Sequence, residues 1–114
     1  MVVSRDALGP GEDLKGFIAR QIRTLSRQVR EFKELKREGG WLGPGDDTSF
    51  PAIVLYTSFK QGSQLNFQSQ CVAQKPDRGI LVLTLTRGSA FDEAALRRWK
   101  TLILTFIPAV PSPS

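Results

Sequence analysis

The side chains with the clearest capacity for chemistry in this sequence are arginines in its first third. Arg20, Arg23, Arg27 and Arg30 follow one another at intervals of three or four residues, and Arg37 comes seven residues later. On a helix such intervals place side chains about one turn apart on one side. A row of guanidinium groups can bridge successive phosphates, with an affinity that falls as salt rises. The spacing therefore predicts a cationic helix face suited to RNA.

The positive charge of the chain is concentrated in this segment. Residues 14–38 hold eight Lys or Arg against three Glu, whereas the whole chain has 16 Lys or Arg, 11 Asp or Glu and a net charge of +5. Such an excess favours an acidic partner such as nucleic acid. The alternative is a merely solvated helix face, in which Glu31 and Glu34 pair with neighbouring cations. The residues predicted to contact nucleic acid are Arg20, Arg23, Arg27, Arg30, Arg37, Arg97, Arg98 and Lys100.

Several kinds of chemistry are excluded by the residue types. The chain has no histidine, which rules out Ser-His-Asp and Cys-His pairs and every imidazole metal site. Its single cysteine, Cys71, allows no intrachain disulfide and is predicted to be a buried core residue. We expect a protein of the reducing cytoplasm that is not an enzyme and holds no metal and no cofactor. The sequence has no continuous apolar stretch long enough to span a membrane.

A long amphipathic helix over Pro10–Glu38 is predicted to carry the arginines. It would begin at a Pro followed by acidic residues and end at Gly39-Gly40. Its apolar residues recur at steps of three and four, and also fit a short heptad pattern. Two interpretations stay open: the stripe packs on the protein's own sheet, or it forms a seam with a second copy or a partner helix. The stripe consists of Ile18, Ile22, Leu25, Val29 and Phe32.

The remaining elements are predicted from alternation, turn residues and helical spacing. Residues 1–9 form a loose lead-in that could add an edge strand, residues 39–49 form a loop, and residues 108–114 form a frayed tail. Ser89 is the expected N-cap of a second helix that ends at Pro108. The predicted fold is a single α+β domain spanning residues 1–114, in which both helices cover one face of a three-stranded antiparallel meander. The three predicted strands are Ala52–Phe59, Gln64–Gln74 and Ile80–Thr86.

The predicted outer face of this sheet has no charged residue. A solvated sheet face usually carries Lys or Glu, which prevent association. An uncharged face therefore suggests contact with another sheet, with another subunit, or with bases stacked on Tyr56. The residues of this face are Val54, Tyr56, Gln68, Gln70, Val82, Thr84 and Thr86.

Two functions follow from these surfaces. The leading hypothesis is a small non-enzymatic module that binds RNA without sequence preference through the arginine face, since no base-reading pattern is present. The alternative is a homodimer or a small subunit of a larger protein complex, joined through the long helix and the uncharged sheet face. The residues predicted for that interaction are Ile18, Ile22, Leu25, Val29, Tyr56, Gln68, Gln70 and Thr84.

Overall fold

One antiparallel sheet with a helix on each face makes up the described part of the protein. The structure is a computed structural model that describes residues 1–44 and 49–106. The five strands lie in the order β1-β5-β4-β3-β2. No helix within these residues is long and apolar enough to cross a membrane. The elements in chain order are β1 (Val2–Ala7), α1 (Leu14–Gln28), β2 (Arg30–Leu42), β3 (Phe50–Gln61), β4 (Gln64–Gln74), β5 (Gly79–Arg87) and α2 (Glu93–Thr105).

The α+β class is as predicted, but the three-stranded meander is wrong. The three expected strand segments correspond to β3, β4 and β5, which form only the middle of a five-stranded sheet. β1 comes from the expected loose lead-in and pairs with β5, while β2 pairs with β3. Both additions satisfy backbone N–H and C=O groups that the outer strands of a meander would leave unpaired.

The predicted helix over Pro10–Glu38 is also wrong, because it is two elements. α1 begins after Asp13, whose carboxylate accepts from Gly16 N at 2.8 Å, and it ends at Gln28. β2 begins two residues later at Arg30, and Glu31, which has φ +51°, lies at an irregular step of this strand against β3. Pairing with β3 gives the backbone of this segment its hydrogen bonds, and this outweighs the helix preference of its Lys and Glu residues.

The loop expected at residues 39–49 is shorter than predicted. Residues 39–42 belong to β2 and pair with β3, so that Leu42 lies opposite Phe50. Residues 45–48 and the expected tail from residue 108 onward lie outside the described residues.

The two helices lie on opposite faces of the sheet, which corrects the prediction that both cover one face. α1 buries Phe17 and Ile18 against Leu55, Val72 and Val82. On the other face, α2 packs in a second core. Successive side chains of a strand point to opposite faces, so the apolar residues at both odd and even positions of β3 and β5 need cover on both sides. The second core contains Leu42, Ala52, Val54, Tyr56, Cys71, Ala73, Leu81, Leu83, Trp99 and Ile103.

Side-chain hydrogen bonds stabilise the N-terminal ends of both helices. The guanidinium of Arg78, in the β4–β5 turn, donates to the carbonyl oxygens of Gly9 and Glu12, each at 3.0 Å. These contacts tie the start of α1 to the sheet. α2 begins after Asp92, whose carboxylate accepts from Ala95 N at 2.7 Å, so Asp92 and not Ser89 is the N-cap.

Candidate functional site

The five arginines predicted as one row lie on two different elements. Arg20, Arg23 and Arg27 belong to α1 and lie on the side opposite the buried Ile18. Arg30 and Arg37 belong to β2. The cationic row therefore covers only the turns of α1 and ends with the helix at Gln28.

Two of these arginines are already bound to carboxylates of the protein. The guanidinium of Arg20 donates to both oxygens of Glu12, at 2.9 and 3.1 Å, and lies 5.1 Å from the centre of the Phe17 ring. This contact, with a second hydrogen bond from Gly9 N, lowers the pKa of Glu12. Arg37 makes a similar bidentate contact with Glu34, in which its guanidinium donates to both carboxylate oxygens at 2.8 and 3.1 Å. Each guanidinium therefore already has a carboxylate partner within the protein.

The other predicted cations divide between the two sides of the sheet. Arg23, Arg27 and Arg30 have no ion pair within residues 1–44 and 49–106. The basic residues of the second helix, Arg97, Arg98 and Lys100, are exposed on α2 and thus lie beyond the opposite face of the sheet. Lys100 is 3.8 Å from a Glu38 carboxylate oxygen. The eight predicted cations do not form one continuous surface.

The apolar stripe of α1 is used mainly by the protein's own sheet. Ile18 is fully buried, and Ile22 packs at the margin of the same core. Leu25 and Val29 are partly buried. A seam with another helix would have to displace the sheet from Ile18. This favours the first of the two interpretations of the stripe.

The uncharged polar residues Gln68, Gln70, Thr84 and Thr86 form a continuous surface, here called the Gln/Thr strip. They alternate with the core residues of β4 and β5 and share the face that α1 covers at Val72 and Val82. Gln68 lies opposite Thr86 and donates to its hydroxyl at 3.2 Å. Gln70 lies opposite Thr84, with an amide-to-hydroxyl distance of 3.5 Å. All four side chains stay partly or fully exposed beside α1.

The Gln/Thr strip is bordered by Val2 of β1 and by buried residues of β3. The row through Thr84 and Gln70 extends to Val2, which is 64% exposed, and through the buried Leu55 of β3 to Arg37 of β2. The next row passes through the buried Thr57 to Glu34, which is paired with Arg37. The strip is therefore an uncharged patch of β4 and β5 on a chain of net charge +5, with an ion pair of β2 beyond the buried row of β3.

Tyr56, which was predicted on the same face, lies on the other one. Its ring is in the core beneath α2, is only 5% exposed, and meets Phe91 edge to face with 5.8 Å between ring centres. It is not available to stack on bases. Val54 of β3 is two residues from Tyr56 and therefore also lies on the α2 face. Val82 of β5 lies on the opposite face and packs under α1.

Three of the cavities among the described residues are lined without a carboxylate. One lies beside β2 and the start of α2, between Leu35, Phe67 and Phe91. Sequence reasoning missed it, because it depends on an irregular step in β2 that no local pattern signals. The described residues contain no group of three His, Cys, Asp or Glu that could hold a metal. Burial raises the pKa of the Cys71 thiol to about 12, which disfavours the reactive thiolate.

Comparisons with known proteins identify a family and a fold. The family model DcrB matches residues 1–105. A crystal structure of PA94 from Pseudomonas aeruginosa, a protein of unknown function described as a candidate regulator, superimposes with a TM-score of 0.70. The alignment has 23% sequence identity and covers 95% of this chain and 71% of that one, which shows a shared fold. No curated protein matches the chain.

Proposed function

This chain belongs to the DcrB family, and we propose that it is a small non-enzymatic assembly subunit that binds other protein chains through the Gln/Thr strip. The observation that carries the proposal is the absence of charge on this open part of the sheet. Exposed sheet surfaces normally carry charges that prevent association.

A second copy of this chain is the first partner to test. Glutamine and threonine side chains both donate and accept hydrogen bonds. Two identical strips related by a two-fold axis are therefore chemically self-complementary. Two copies of a chain with net charge +5 would also repel each other least where neither presents a cation.

Light scattering after size exclusion tests this pairing. We expect the mass of a dimer for the unmodified chain, and the mass of a monomer for the variant Gln70→Lys with Thr84→Lys, because two buried ammonium groups would face each other. The matched control, Thr24→Lys with Ser26→Lys, adds the same charge on the exposed side of α1. A monomeric mass for the unmodified chain at every concentration would contradict pairing through the strip.

Binding to RNA remains a second candidate because Arg23, Arg27 and Arg30 have no carboxylate partner in the described part of the chain. Arg23 and Arg27 are four residues apart on α1, which puts them about 6 Å apart along the helix axis. Guanidinium groups bind phosphates through paired hydrogen bonds and release counterions from the nucleic acid. The contact would be to the backbone of RNA and independent of its sequence.

Fluorescence anisotropy with single-stranded RNA at two salt concentrations tests this candidate. We expect affinity to fall with salt, and Arg23→Glu with Arg27→Glu to weaken binding by about tenfold or more, since each reversal replaces a counterion-releasing contact with repulsion. The matched control is Arg97→Glu with Arg98→Glu, which makes the same charge change on α2. An equal loss in both variants would show that only net charge matters and would reject the α1 site.

A further inference from the structure

The outer edge of β1 forms one of the two ends of the sheet. β1 pairs with β5 in an unbroken register from Val2 to Ala7, and its other side has no strand partner among the described residues. All six of its side chains are exposed. A strand edge of this kind presents a row of N–H and C=O groups to which another strand can pair.

β2, at the opposite end of the sheet, has features that prevent such pairing. Seven of its 13 residues are charged, and its register against β3 shifts at two places. Charged side chains and bulges are common means by which proteins protect a sheet edge. β1 has no register shift, and Arg5 and Asp6 are its only charged residues. The difference between the two edges indicates that β1 is the one open to a partner.

The side chains of β1 on the α2 face combine apolar surface with positive charge. Val3 and Arg5 lie opposite leucines of the core beneath α2. Val3 is 45% exposed, and Arg5 has no ion pair within the described residues. Asp6 is the next residue and therefore belongs to the α1 face. The charge of Arg5 is thus not balanced by a carboxylate of β1 on the same face.

This surface continues into a cavity between the beginning of β1 and α2. The cavity has a volume of about 260 Å³, and Met1, which is 53% exposed, forms part of its wall. Arg87 and Arg98 also line it, and neither has an ion pair in the part of the chain that the structure describes. None of the described residues that line the cavity is acidic. The α2 side of this edge therefore has apolar side chains with arginines near both ends.

The backbone and the charges of this edge together favour an extended acidic segment. An unpaired strand edge is satisfied by a partner that supplies backbone N–H and C=O groups, as in strand addition. An acyl chain has no such groups. Carboxylates of the segment would face the arginines, and its apolar side chains on the same side would cover Met1 and Val3. We propose that β1 binds an extended acidic segment of a different protein, which adds to the sheet as a sixth strand.

A second copy of β1 fits this edge less well. Two β1 strands paired about a two-fold axis would keep Arg5 of both copies on the α2 face, where the strand has no carboxylate. Like charges on adjacent strands are destabilising. The net charge of +5 on the whole chain also favours an acidic partner over a second copy. This site is additional to the Gln/Thr strip, which lies on the α1 face.

A designed peptide tests the proposal. It has seven residues and blocked ends, with glutamate at both terminal positions, valine at the third and fifth positions and threonine at the others. The glutamates and valines then share one face of a strand. We expect saturable binding to the unmodified chain, measured by fluorescence anisotropy of the labelled peptide, with an affinity that falls as salt rises.

Two control peptides separate the charge from the backbone pairing. One has lysine in place of both glutamates, and the other has proline in place of the central threonine. Each should bind at least about tenfold more weakly, because the first reverses the charge and the second lacks an N–H and disrupts a strand. Equal affinity of the acidic peptide and either control would overturn the proposal.

Variants of the chain and hydrogen exchange locate the site. Arg5→Glu with Arg98→Glu should weaken binding of the acidic peptide by about tenfold or more. The matched control, Arg23→Glu with Arg27→Glu, makes the same charge change on α1 and should bind as the unmodified chain does. In the unmodified chain, alternate amides of β1 should exchange more slowly when the peptide is added, because alternate N–H groups of an edge strand point outward.

Three results would contradict binding at the β1 edge. An equal loss of affinity in both variants would show that only net charge matters. Unchanged exchange at the β1 amides would show that the peptide does not pair with this strand. Slow exchange of the same amides without peptide, increasing with protein concentration, would show that a second copy occupies the edge.

The outcome is separable from that of the proposed function. Self-association through the Gln/Thr strip is measured by mass and depends on the α1 face, whereas the peptide is detected at the edge of β1. If the peptide fails to bind while Gln70→Lys with Thr84→Lys changes the mass, only the β1 site is rejected. If the peptide binds as expected while the mass does not change, pairing through the strip is rejected and the β1 site stands.

Discussion

A buried side-chain hydrogen bond joins α2 to β4 of the sheet. The indole Nε1 of Trp99 donates to the Ser69 hydroxyl at 2.7 Å, and both residues are almost fully buried. A buried indole N–H normally requires a partner. Ser69, a small polar residue between Phe67 and Cys71 on the α2 face of β4, therefore fixes the depth and rotation at which the indole packs.

We predict that Ser69→Ala destabilises the protein by about 1–3 kcal/mol, because it leaves the Trp99 N–H buried and unpaired. In a Trp99→Phe background the same substitution should cost much less, since the donor is already absent. Urea unfolding followed by circular dichroism measures both differences. Equal costs in the two backgrounds would show that the hydrogen bond does not contribute to stability.

The contact between Glu12 and Arg20 predicts a dependence of stability on pH. Arg20 lowers the pKa of Glu12 in the folded protein, so Glu12 contributes stability above its unfolded pKa and loses it as the pH falls through its folded pKa. Glu12→Gln should therefore unfold at a urea concentration that varies less between neutral and acidic pH than that of the unmodified chain. An unchanged pH profile in this variant would contradict the assignment.

At the scale of elements, the junction between α1 and β2 decides the architecture. Asp13 caps the beginning of α1, and the helix ends at Gln28. Glu31 then adopts φ +51°, a left-handed conformation that costs a residue with a side chain about 1–2 kcal/mol. The pairing of β2 with β3 must outweigh this cost, because without it the arginine segment would be free to continue as a helix.

We predict that Glu31→Gly is more stable than Glu31→Ala by about 1 kcal/mol, because glycine adopts a positive φ without the side-chain penalty. Both variants lose the 3.3 Å contact between Glu31 and Lys60, so their comparison isolates the backbone effect. Urea unfolding of the two variants is the measurement. A less stable glycine variant would show that Glu31 is not strained.

At the scale of the whole molecule, the sheet separates two cores. Ile18 of α1 lies in one, and Ile103 of α2 lies in the other. The Gln/Thr strip lies on the α1 side of this sheet.

Because the two cores are separate, substitutions in one should change the free energy of unfolding independently of substitutions in the other. Ile18→Val and Ile103→Val should each cost about 0.5–1.5 kcal/mol, and their effects should add within about 0.5 kcal/mol because the residues share no neighbours. Ile18→Val with Val82→Ala, both in the α1 core, should deviate from additivity more strongly. Urea unfolding of the single and double variants tests this. Equal coupling in both pairs would contradict the separation of the cores.

The sequence by itself determined the features that depend on local chemistry. Alternation and turn residues placed β3, β4 and β5 close to their observed bounds, and helical spacing of Ala95 and Trp99 placed α2. The prediction of an apolar stripe opposite Arg23 and Arg27 is correct for the part of the segment that forms α1. The uncharged residues Gln68, Gln70, Thr84 and Thr86 were identified, because a missing charge is visible in one dimension.

Only the tertiary structure decided how far the first helix runs and which residues share a face. Arg30–Leu42 has Lys and Glu at helical spacing and mostly exposed side chains, so its sequence gives almost no indication of a strand. It becomes a strand because the backbone N–H and C=O groups of β3 require hydrogen-bonding partners on that side. Tyr56 was assigned to the wrong face because the apolar residues of β3 run at odd and even positions alike. Such a run does not say which side a helix covers. That is settled when α1 and α2 each bury an apolar face against the sheet.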